Sequence, residues 1–89
     1  MKHIVKRLGK LEKFDERKVY ASCYAACLSS HIKHMKAEEI CTKVAKQVKN
    51  WIKTKKVVTS DQVFKEITKV MRKYDKNAAF MFKTHRDIN

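Results

Sequence analysis

The sequence contains no proline and one glycine, Gly9. It stands between two short segments, "HIVKR" and "LEKF", unlike anything that follows. Ile4 and Val5 are β-branched, and neither segment is long enough to repeat at helical spacing. Gly9 is the one residue that takes positive φ freely, as a tight turn needs. The N-terminus is therefore expected to form a β-hairpin over residues 3–7 and 10–14.

Beyond it the apolar residues recur every three or four positions. Asp15 is a good N-cap, Glu16 suits the positive end of a helix dipole, and Phe14 with Val19 comes close to a hydrophobic staple. Val19, Cys23, Ala26, Cys27 and Ser30 make a face of small residues that another element can approach closely. "SSHIKHMK" is polar enough to be a connection. A second helix is expected from about Ala37 to Lys53, with Ile40, Cys41, Val44, Val48, Trp51 and Ile52 on its buried stripe. "KTKKVV" suggests a third short strand near residues 56–58. Thr59 or Ser60 then caps a third helix, "SDQVFKEITKVMRKY", which buries Val63, Phe64, Ile67, Val70 and Met71. "YDKNAAFMFKTHRDI" reads as a shorter fourth helix with Asp75 or Asn77 near its start. The expected fold is α+β: a hairpin packed on about four helices, in one domain over residues 1–89.

Composition limits the function. Twenty-two Lys and Arg against nine Asp and Glu give a formal charge of +13, a field that attracts polyanions. No apolar run reaches the roughly 20 residues of a membrane span. "MKHIVKRLGK" interrupts its hydrophobics with charge too often for a secretion signal, so a cytoplasmic protein is expected. Cys23, Cys27 and Cys41 are odd in number, which argues against a disulfide framework. Cys23, Cys27 and His31 share one helical spacing, but zinc sites want a second well-spaced pair. Buried thiols and no metal are the expectation. Ser29 and Ser30 lie in no nucleophile elbow, and His3, His31, His34 and His85 show no evident paired carboxylate. No enzyme is expected.

No G-x-x-x-x-G-K and no G-x-G-x-x-G is present, so a phosphate would be held another way. Lys6 and Arg7 end the first expected strand beside the Gly9 turn. Lys18 lies in the first turn of the first helix, whose free N–H groups favour anions. Glu12 and Asp15 can accept hydrogen bonds from a base or sugar, while Phe14 and Val19 offer apolar contact. Lys43, Lys46, Lys49 and Lys53 line one side of the second helix, with Lys55 and Lys56 beyond. That stripe suggests an alternative function, non-specific and salt-dependent binding of nucleic acid.

"VKRLGKLEKFDERKV", residues 5–19, resembles the opening motif of the ATP-cone domain: a Lys-Arg pair, a glycine turn, a Phe-Asp and a Lys-hydrophobic pair in that order. "VVTSDQVFKEITKVMRKYD" is similar to the family's strand-then-helix segment, and "DKNAAFMFKTH" to its last helix. The resemblance covers the whole chain, as for a free-standing domain. It implies a non-catalytic regulatory module that binds ATP or dATP, with magnesium accompanying the triphosphate, and that couples the nucleotide to self-association or a protein partner. Such modules regulate ribonucleotide reductases and act within the repressor of their genes, where the nucleotide controls assembly and DNA affinity. The resemblance places phosphate contacts on Lys6, Arg7 and Lys18, further nucleotide contacts on Glu12, Phe14 and Asp15, Val19 near the base, and Thr59 before the third helix. The chain departs from the pattern at Leu8, where the family has an acid. It departs again at Ala79-Phe80-Met81-Phe82, where the family has Tyr-x-Arg-Phe. Lys83, His85 or Arg86 is then the replacement cation, and Arg86 is the one assigned to the site.

Overall fold

The structure, a computed structural model, describes residues 3–5 and 11–88, and for 85–88 the backbone alone. The two expected strands are β1 (His3–Val5) and β2 (Leu11–Lys13), paired antiparallel with Ile4 opposite Glu12 and Val5 opposite Leu11. The expected turn around Gly9 lies outside the described residues. The first helix, α1, spans Glu16–Ser29 and the second, α2, His34–Lys53. The third strand, β3 (Val58–Thr59), pairs parallel to β1, giving the sheet order β2-β1-β3. Helices α3 (Ser60–Tyr74) and α4 (Lys76–Ile88) complete the chain.

Strand alternation sorts the sheet into two faces. Glu12, Ile4 and Val58 form one row, with Val58 buried and Ile4 packed on the core. Leu11, Val5 and Thr59 form the next row, and Leu11 at its end is exposed. The helices cover the first face. α1 packs on α2 and α4, and α3 packs on the same two. Small side chains allow this closeness: Cys23, Ala26 and Cys27 of α1 and Ala37, Cys41 and Ala45 of α2 are all buried. Larger groups, Val44, Val48, Ile52, Val70 and Met71, fill the centre, each contributing roughly 1.5–3 kcal/mol by leaving water.

Two helix boundaries have local causes. α1 stops in a Schellman motif: His31 N–H donates to the Leu28 carbonyl, Ile32 N–H donates to the Cys27 carbonyl, and His31 sits at φ 65°. Ile32 packs on the core, completing the hydrophobic part of the motif. That sharp stop lets α2 begin at His34, three residues before the expected Ala37. At the other boundary Asp75 serves two helices. Its N–H donates to the Met71 carbonyl at 2.8 Å, ending α3, and its carboxylate accepts Ala78 N–H at 2.9 Å, opening α4.

Candidate functional site

Among the described residues, those expected to bind nucleotide lie on β2, at the start of α1 and at the start of α3. Asp15 is the N-cap of α1: its carboxylate accepts the Arg17 N–H at 2.9 Å and the Arg17 guanidinium at 3.3 Å on each oxygen. The Arg17 side chain and then its backbone N–H hold the Asp15 carboxyl below the usual carboxylate value. One turn on, Lys18 reaches back to β2 and pairs with Glu12, Nζ to Oε1 2.5 Å. The lysine is the exposed partner and the glutamate is largely covered. A flexible ammonium at the rim can thus exchange a carboxylate for a phosphate without moving the backbone.

Across the sheet, Thr59 pairs with Val5 and caps α3. Its hydroxyl accepts Gln62 N–H at 3.1 Å, and the Gln62 side chain accepts Thr59 N–H at 2.9 Å, a complete capping box. Glu12 lies in the row through Ile4 to Val58, two strands away from β3, or about 10 Å at ordinary strand spacing. Because β1 and β3 are parallel, Val5 and the start of α3 lie at the same end of the sheet. Lys6 and Arg7 follow Val5 in sequence and lie outside the described residues, as does the side chain of Arg86.

The apolar members divide. Phe14 is half-buried and packs against the core. Val19 is a core residue, only 6% exposed, directly beneath the Lys18 turn. The structure therefore brings together Glu12, Phe14, Asp15, Lys18 and Val19 at the sheet–α1 junction, with Thr59 at the α3 end of the same sheet.

Sequence reasoning missed three features. A cavity of about 850 Å³ opens on the Val5–Leu11 side of the sheet, with Phe14 and Val57 in its wall and Lys49, Lys53 and Lys56 around it. Lys49 and Lys53 had been assigned to the nucleic-acid stripe; their continuation to Lys56-Val57 was the available signal. In that stripe Lys43 pairs with Glu39 at 3.1 Å and Lys49 with Glu16 at 3.7 Å. Second, His34 does have a carboxylate, Glu38 at 3.2 Å, and the Tyr24 hydroxyl is bonded to its Nδ1. His34 and Glu38 are exposed surface groups one turn apart on α2. Third, Cys41, and not His31, completes the group begun by Cys23 and Cys27: the three Sγ atoms lie within 4.8 Å of one another.

The ATP cone domain family matches residues 2–83, nearly the whole chain. A search of curated proteins returns no match. The chain belongs to the ATP-cone domain family, regulatory and non-catalytic modules that bind ATP or dATP as effectors.

Proposed function

We propose that this domain senses ATP or dATP at the junction of the β1–β2 hairpin with α1 and α3, and passes occupancy on as a change in self-association or in grip on a protein partner. One observation carries the reading: the Lys18–Glu12 pair bridges α1 to β2 on the sheet whose opposite edge strand leads into the N-terminus of α3. Lys18 turns from Glu12 to a phosphate, and Glu12 is then available to the sugar or base. Lys6 and Arg7, which follow Val5 in sequence, add two cations, and Arg86 is the cation assigned from the last helix. The positive dipole ends of α1 and α3 favour the same negative charge. Phe14, with Val19 beneath, supplies the apolar side for the base. Magnesium arrives with the triphosphate.

The test is calorimetry with ATP and dATP on the wild type and on Lys6→Ala combined with Lys18→Ala. The double variant should keep its helical circular dichroism and lose nucleotide binding. Binding as tight as wild type contradicts the assignment. Mass measured with and without nucleotide tests the coupling; an unchanged mass moves the output from self-association to a protein partner.

A further inference from the structure

The three cysteines occupy the crossing of α1 and α2, beginning one turn beyond Val19 on α1. Cys23 and Cys27, four apart, present both thiols on one face of α1, and Cys41 of α2 closes the triangle. All three residues are fully buried and none is in a disulfide. The three sulfurs therefore face one another across the packed α1–α2 contact.

We propose that Cys23, Cys27 and Cys41 form a three-sulfur site for a soft, closed-shell metal ion, Cu(I), that clamps α1 to α2. Metal–thiolate bonds of about 2.3 Å place three sulfurs of a trigonal plane about 4.0 Å apart. With no pair of sulfurs more than 4.8 Å apart, an equilateral triangle at that limit has its sulfurs about 2.8 Å from the centre, so each need move inward by no more than about 0.5 Å, within the reach of a χ1 adjustment. Three thiolates and no carboxylate or imidazole among the grouped donors exclude hard ions such as magnesium or calcium. Zinc completes a tetrahedron and would lack its fourth ligand here. Cu(I) is satisfied by three sulfurs. On binding, Cu–S bonds replace S–H bonds, the protons pass to buffer, and no electrons are transferred. The protein's net charge of +13 favours the anionic complex that results.

The test uses the full, reduced chain without oxygen, titrated with Cu(I) buffered by a chromophoric chelator. One equivalent should bind, with a near-ultraviolet sulfur-to-copper band, X-ray absorption showing three sulfur neighbours, and a raised melting temperature. Cys41→Ala, close in volume, should remain helical and lose the band and the thermal shift. Failure of the wild type to take copper from the chelator overturns the proposal, and so does a Cys41→Ala variant that binds equally. Zn(II) in place of Cu(I) is the second arm: tighter binding of zinc overturns the choice of ion. If Cys41→Ala does not fold, the sulfur count around copper in the wild type decides alone.

Discussion

The helical layer and the N-terminal sheet corner solve opposite problems. In the helical layer α1, α2 and α4 contribute alanines and cysteines that let the helices approach, and valines, Ile52 and Met71 fill what remains. Thr68 is the one polar residue buried as a whole among the described residues, and its hydroxyl donates to the Phe64 carbonyl one turn back. In the corner, each strand has two or three residues, and its polar groups are paired at the surface: Lys18 with Glu12, Arg17 with Asp15, Thr59 with Gln62. The contrast teaches a division of labour. Stability resides where side chains are apolar and interchangeable charge is excluded. Ligand chemistry resides where charges can change partner at little cost to the fold.

Substitutions in the two regions should therefore part company. The largest effect belongs to Val44→Asp, which places a carboxylate at a fully buried site between helices and should cost more than about 4 kcal/mol, read as loss of the cooperative melt. Nucleotide binding then falls only because the fold does. The Lys6→Ala, Lys18→Ala pair reverses the pattern: binding is lost while stability shifts by about 0.5 kcal/mol, as expected for loss of an exposed ion pair such as Lys18–Glu12. Thr59 belongs to both regions. Thr59→Ala should cost about 1 kcal/mol through the lost cap, whereas Thr59→Ser keeps the hydroxyl and should stay near wild type in a denaturant titration. The smallest effect is on the acid limb. Asp15 titrates below its usual value when folded, so its contribution is complete above about pH 4, the unfolded carboxylate value, and fades as pH falls through the folded one. Asp15→Asn, which keeps a capping oxygen but loses the charge that Arg17 pairs with, should flatten that part of the stability profile by lowering stability slightly at neutral pH.

Much of this architecture was legible in residues with local jobs. The sequence "VVTSDQVF" announces a strand and a capped helix, and α3 starts and ends where its apolar spacing says it should. Asp15 and Phe14 mark the start of α1 equally well. What failed was the α1–α2 connection, because its left-handed residue is histidine where glycine is the usual signal. Placing the start of α2 three residues late hid the one-turn spacing of His34 and Glu38 and so their ion pair. Cys41 could not be joined to Cys23 and Cys27 from spacing, since the angle at which α1 and α2 cross is a property of the folded packing. The lysines around the cavity were likewise visible one by one, but the wall that Phe14 and Leu11 give them exists only once the hairpin is folded.

The most direct measurement is a backbone amide NMR titration of the wild-type chain with ATP and with dATP. The account predicts shifts concentrated at Leu11–Val19 and Thr59–Gln62, together with the segment around Lys6 and Arg7, and little change along Lys43–Lys49. Shifts confined to Lys49, Lys53, Lys56 and Val57, with none at Glu12 or Lys18, would place the nucleotide among the cavity's lysines and contradict it, as would a spectrum that nucleotide leaves unchanged.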